Sequence, residues 1–168
     1  SIGSPEATGT DKPDDQKNGT EIQDLSGNPI KIVFFELGKA DAFLIYNEGA
    51  AILIDTGEPE SAEDILSYME KKGVDSLDYL FISHFDKDHV GGASSIIDNF
   101  KVVNVLQSNY PKDSEYYKKY KASLEKKGIT PVTVEGNIEF TLEDMKVLVD
   151  GPTKIYDKNE SNNSSLIV

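Results

Sequence analysis

From Ile30 onward the apolar residues fall into short runs separated by turn-forming residues, and the spacing of the runs predicts most of the elements. Lys31–Phe35, Ala42–Tyr46 and Ala51–Ile54 read as strands, with Asn47-Glu48-Gly49 as the turn between the last two. Together they predict an antiparallel meander. Ser61, with Asp64 three residues on, resembles a capping box, and Ile65, Leu66 and Met69 keep helical spacing until Gly73 stops it. Leu77–Ile82 predicts a buried strand, Gly92 to about Phe100 a short helix, and Val102–Leu106 another strand. Asp113–Lys127 predicts a helix closed by Gly128, followed by short strands near 131–135, 138–142 and 145–149 and a last one from Ser165 to Val168. Sheets that are antiparallel first and mixed later, with helices between, predict an α/β or α+β layered fold.

The two ends differ from this pattern. Residues 1–29 are read as a flexible tether, because the first 21 consist mainly of Ser, Gly, Pro, Asp, Lys and Thr and offer almost nothing to bury. A polar tether without an initiator methionine, ahead of a cysteine-free segment, suits an exported chain whose targeting segment has been removed. An extracellular or cell-surface location is therefore the expectation, and an arbitrary starting point, with a cytoplasmic protein behind it, accounts for the same observation. At the other end, an apolar β-branched run with no polar tail predicts a strand cut off in mid-course, so residues 30–168 are read as part of a longer domain.

Composition narrows the chemistry. At 168 residues and 38% hydrophobic content, one core is expected, and no apolar stretch approaches the roughly 20 residues that a membrane-spanning helix needs. With no cysteine, any metal must be held by imidazole and oxygen, and thiolate ligands and cysteine nucleophiles are excluded. The net charge of −13 argues against nucleic-acid binding through a broad basic face. All 17 basic residues are lysines, and the densest group, Lys112, Lys118, Lys119, Lys121, Lys126 and Lys127, is read as a solvated helix face, with a phosphate-binding face as the rival.

One loop concentrates the remaining chemistry. After the strand ending at Ile82 come His84, Asp86, Asp88 and His89, then Gly91 and Gly92, and both histidines of the chain lie within this run. In an extended segment alternate side chains share a side, so His84 and Asp86 can converge on one point, while a turn at Lys87 and Asp88 sends Asp88 and His89 toward a second. That pattern suits two adjacent ions. Imidazole and carboxylate ligation without sulfur fits Zn²⁺, Mn²⁺ or Fe, and paired ions a few Å apart ionise water near neutral pH and clamp a phosphoryl or acyl oxygen. A Ca²⁺ loop is the weaker rival, since it would be all oxygen. A charged loop with structural histidines is the plain alternative.

The segment Ser83-His84-Phe85-Asp86-Lys87-Asp88-His89-Val90-Gly91-Gly92 resembles the signature Ser/Thr-His-x-Asp-x-Asp-His-x-Gly-Gly of one branch of the metallo-β-lactamase superfamily, the hydrolase domains of ComEC-type competence proteins. Three further segments are similar to that branch. Phe35–Ala42 looks like its Val-Gly-Gln-Gly-Asp-Ala run, departing from it at Lys39-Ala40, Leu53–Gly57 looks like its Ile-Asp-Thr-Gly turn, and Asn162–Ile167 like its Asn-Asn-x-Ser-Leu-Val strand. The resemblance implies the first half of an αββα sandwich with mixed sheets. It implies His84 and Asp86 on a first ion, Asp88 and His89 on a second, Asp88 also as the catalytic group that holds or deprotonates the attacking water, and Asp55 orienting the loop from behind the ligands. Asp55 and Asp41 could each simply close a turn.

Relatives of this kind complete the site with an Asp and histidines beyond the Asn-Asn-x-Ser-Leu-Val strand, and no histidine follows His89 here. The complete domain is therefore expected to bind two divalent ions, Zn²⁺ or Mn²⁺, and these residues alone to bind metal weakly or partially with little hydrolysis. The reading is a binuclear phosphoesterase or nuclease acting on a phosphoester or nucleic-acid-like substrate. Asp86, where a lactamase would have His, argues against a β-lactamase, and −13 leaves nucleic acid a doubtful substrate. The rival reading is a non-catalytic cell-surface binding module that keeps the fold. Partner proteins are not legible.

Overall fold

A computed structural model describes residues 19–22, 27–38, 40–152 and 165–168. Its strands are β1 (Gly19–Ile22), β2 (Ile30–Phe34), β3 (Phe43–Tyr46), β4 (Ala51–Ile54), β5 (Leu77–Ile82), β6 (Val102–Gln107), β7 (Val132–Thr133), β8 (Asn137–Leu142) and β9 (Met145–Asp150). The helices are α1 (Ser61–Lys71), α2 (Lys87–Val90), α3 (Ala93–Asn99) and α4 (Glu115–Lys127). Among the described residues, β1 to β7 form one sheet in sequence order and β8 with β9 a second. Pairing is antiparallel from β1 to β4 and parallel from β4 to β7, the mixture expected from a meander followed by β–α–β crossovers.

The apolar residues of β4 and the Leu80-Phe81-Ile82 end of β5 are covered on both faces of the first sheet. On one face Leu44, Leu53, Leu80 and Ile82 pack with Ile65 and Met69 of α1, Ile96 and Ile97 of α3, and Tyr120 and Leu124 of α4. On the other, Ile52, Phe81 and Leu106 meet Val147 and Val149 of β9 and Leu166. The order of layers is thus helices, large sheet, small sheet. In β9 the alternation is strict, with Met145, Val147 and Val149 buried and Lys146, Leu148 and Asp150 exposed, as a strand with one covered face requires.

Five local details differ from the sequence expectation, the first being that Ser165–Val168 forms no strand and pairs with the second sheet through an isolated bridge from Ile167 to Asp150. Gly19–Ile22, inside the stretch read as tether, pairs in register with Ile30–Val33; a strand added at a sheet edge is held by backbone hydrogen bonds and needs no apolar pattern. Ser61 does not cap α1, because Glu60 occupies that position without a side-chain bond and Ser61 is instead buried beneath the turn after β4. The turn expected at Lys87 and Asp88 is a short helix, α2. Finally, α4 starts later than Asp113, because the Ser114 hydroxyl accepts from the Tyr117 N–H and caps the helix there. Gly73 and Gly128 end α1 and α4 in left-handed conformation, as expected. Lys39 and the Asn162-Asn163-Ser164 segment lie outside the described residues. Among those described, no helix is long and apolar enough to cross a membrane.

Candidate metal centre

The loop from Ser83 to Gly92 leaves the end of β5, one strand away from the turn that follows β4, and the two connections are locked together. Asp55, in that turn, is 3% exposed and adopts a left-handed backbone at φ 58°, unusual for a residue with a side chain. Its N–H donates to the Phe81 carbonyl at 2.8 Å. Its carboxylate accepts from the Ser83 N–H at 2.8 Å, from the Ser83 hydroxyl at 2.5 Å, and from His89 Nδ1 at 2.8 Å. The strained backbone is what aims this carboxylate between the ends of two strands, and three donors repay its burial.

Thr56 adds a second brace. Its N–H and its hydroxyl both donate to the His89 carbonyl, each at 2.8 Å. The close approach explains both glycines after α2. A Cβ at Gly91 would lie 2.7 Å from Pro59 Cδ and 2.9 Å from Glu58 Cα, and one at Gly92 would lie 2.5 Å from the Thr56 carbonyl oxygen. On the helical side Phe85 is buried against the rings of Tyr117 and Tyr120, at 4.4 and 5.9 Å. Backbone and side chains thus fix the loop from both flanks.

Within that frame the four acid and imidazole groups fall into two pairs. His84 Nε2 lies 3.9 Å from Asp86 Oδ2, and His89 Nε2 lies 3.6 Å from Asp88 Oδ2. The two imidazoles meet edge to face with ring centres 3.7 Å apart. The Asp55 bond commits Nδ1 of His89 to donating, which leaves Nε2 directed toward Asp88 and is how carboxylates orient metal-binding histidines. Burial, the largest influence on the His89 imidazole, pushes its pKa down; the hydrogen bond to Asp55 and the charges of Asp55, Asp88 and Asp41 together outweigh that and hold it above its usual 6.5.

The donors fit divalent ions in kind, being two imidazoles and two carboxylates in adjoining pairs. They are few in number: among the described residues no three His, Asp or Glu groups gather closely enough to hold one ion. Sequence reasoning brought His84, Asp86, Asp88, His89 and Asp55 together, and the structure places all five in one cluster. It gave no role to Ser83 or Thr56, although both lie within the quoted motifs. It also read Lys112 as part of a solvated helix face, whereas Lys112 precedes α4 and its ammonium pairs with Asp86.

The sequence model of the metallo-beta-lactamase superfamily matches residues 36–157. Among curated proteins, the chain is 34% identical over 104 residues to Recombination protein 2 of Haemophilus influenzae, covering 59% of this chain and 13% of that protein. It is 24% identical over 157 residues to ComE operon protein 3 of Bacillus subtilis, covering 82% of this chain and 20% of that protein. The chain therefore spans a fifth or less of the length of these relatives. Among solved structures, the chemotaxis sensor ODP, described as a peroxy diiron species, superposes with a TM-score of 0.53 at 14% identity, covering 79% of this chain and 52% of that one. That likeness is one of fold.

Proposed function

Because the chain belongs to the metallo-β-lactamase superfamily, we propose that Ser83–Gly92 is the ligand loop of a binuclear metal-dependent hydrolase acting on phosphoesters. Members of the superfamily bind divalent metals such as zinc or iron. On this reading His84 and Asp86 hold one ion, Asp88 and His89 the other, and the remaining donors lie outside the described residues. Bound there, the ions supply Lewis acidity and make water ionisable near neutral pH. The chain's own contribution is orientation. Asp55 fixes the His89 tautomer, Thr56 fixes its backbone, and Asp88, half exposed beside His89 Nε2, is placed to accept a proton from an incoming water.

The observation that carries this reading is the Asp55–His89 hydrogen bond, a buried carboxylate on a strained backbone whose evident effect is to aim one imidazole nitrogen. The full-length protein, assayed with Zn²⁺ and Mn²⁺ against bis(p-nitrophenyl) phosphate, nitrocefin and single-stranded DNA, tests it. Metal-dependent phosphodiester cleavage abolished by Asp88→Ala is expected; cleavage that survives chelation and that substitution contradicts it.

A second reading has one observation in its favour, the absence of a three-donor cluster among the described residues. On that reading the fold persists as a binding module without catalysis. Full-length protein that binds no metal and cleaves none of the three substrates would favour it.

A further inference from the structure

Lys112 is set apart from the other lysines of its region by where its amine goes. Lys118 and Lys119 pair with Asp113 and Glu115 on the solvated side of α4, with side chains 66% and 63% exposed. Lys112, 44% exposed, instead turns inward onto Asp86 Oδ1. Its backbone is held at both ends. Before it, the Ser108 N–H donates to the Ile82 carbonyl at 3.1 Å and the Tyr110 N–H to the Ser108 hydroxyl at 3.2 Å. After it, Ser114 caps α4, whose Tyr117 ring packs on Phe85 of the ligand loop. The connection between β6 and α4 is thus built to carry an ammonium to the edge of a site where Asp55, Asp86 and Asp88 crowd around two imidazoles.

We propose that Lys112 is an exchangeable counter-cation for the His84/Asp86 half of the centre. Its ammonium neutralises Asp86 and holds it in place while no metal is there, and it withdraws into solvent when an ion takes the carboxylate. This rests on the metal reading above and adds a positioning residue to it. A carboxylate that already has a partner gives it up on binding metal, so Lys112 lowers the affinity of this half of the centre. The pair is partly exposed, so the exchange is cheap and only the lysine side chain has to move.

Co²⁺ titration of the 168-residue chain, followed by visible absorption, tests this with three variants. Lys112→Gln should tighten binding about two- to fivefold, the range that a partly exposed lysine–carboxylate pair is worth. Lys112→Arg, which keeps the charge, and Lys118→Gln, which removes the same charge from the helix face, should both stay near the parent. Independently, acylation of the Lys112 amine, read by peptide mass spectrometry, should speed up when metal saturates the chain. An affinity that Lys112→Gln leaves unchanged or weakens, an equal shift from Lys118→Gln, or a labelling rate indifferent to metal overturns the proposal while leaving the metal reading intact. If none of the four proteins binds Co²⁺, this proposal falls, while the metal reading stands or falls by the assay of the full-length protein.

Discussion

The two halves of the proposed ligand loop, Ser83–Gly92, are held in different ways. The His89 half is braced from within: a buried carboxylate, a buried serine and a threonine, all fixed to strand ends, position one imidazole through five short hydrogen bonds to the Asp55 carboxylate and the His89 carbonyl. The His84 half has a buried imidazole, but its carboxylate, on Asp86, reaches outward to a lysine from another connection, and both partners are partly exposed. One half is preorganised in low dielectric, where each lost bond leaves a stranded polar group. The other is steadied by an ion pair that water and salt can replace. The difference teaches that equal standing within one sequence motif does not imply equal rigidity.

That contrast is sharpest in stability. Asp55→Ala strands the Ser83 N–H, the Ser83 hydroxyl and His89 Nδ1, and should destabilise the chain by about 3–5 kcal/mol in urea unfolding, since each buried group left without its partner costs about 1–3 kcal/mol. Phe85→Ala, which empties the wedge between the loop and α4, should cost about 3–5 kcal/mol without discriminating between the two halves, and so calibrates the scale. Gly92→Ala drives a Cβ into the Thr56 carbonyl and should cost about 1–3 kcal/mol while loosening metal binding, because the brace on His89 shifts with it.

Smaller effects come next. His89 has a raised pKa in the folded, metal-free chain, so its contribution to stability is fully present below the unfolded value near 6.5 and is lost as pH rises through the higher folded value. In EDTA, urea midpoints should therefore fall across that window, and His89→Gln should flatten the fall; a rise, or a slope indifferent to that substitution, would show that Asp55 does not favour the imidazolium. Smallest is Lys112→Gln, which should change metal-free stability by less than about 1 kcal/mol. A loss as large as that of Asp55→Ala would erase the contrast between the halves.

Much of this was legible in the sequence for physical reasons. Strand periodicity, the glycines ending α1 and α4, and the change from meander to crossover all follow from local pattern, and the structure agrees with them. The cluster of acids and imidazoles was legible because its groups fall close together in sequence and both histidines of the chain sit among them. What was not legible depends on neighbours distant in sequence. Ser61 has the composition of a cap, but packing under the β4 turn buried it instead. Gly19–Ile22 joins the sheet through backbone groups that side-chain patterning does not register. Lys112 meets Asp86 only because β5 and β6 are adjacent and parallel, which brings their following connections to the same edge.

The most direct test of the central claim uses the scarcity of histidine. With two imidazoles in the whole chain, a long-range ¹H–¹⁵N spectrum of uniformly labelled protein reports His84 and His89 alone. Titrating Zn²⁺ should move Nε2 of His89 while its Nδ1 stays protonated toward Asp55, and should perturb His84 in the same titration. Zn²⁺ that leaves both rings unchanged, or that binds His89 through Nδ1, would contradict the account.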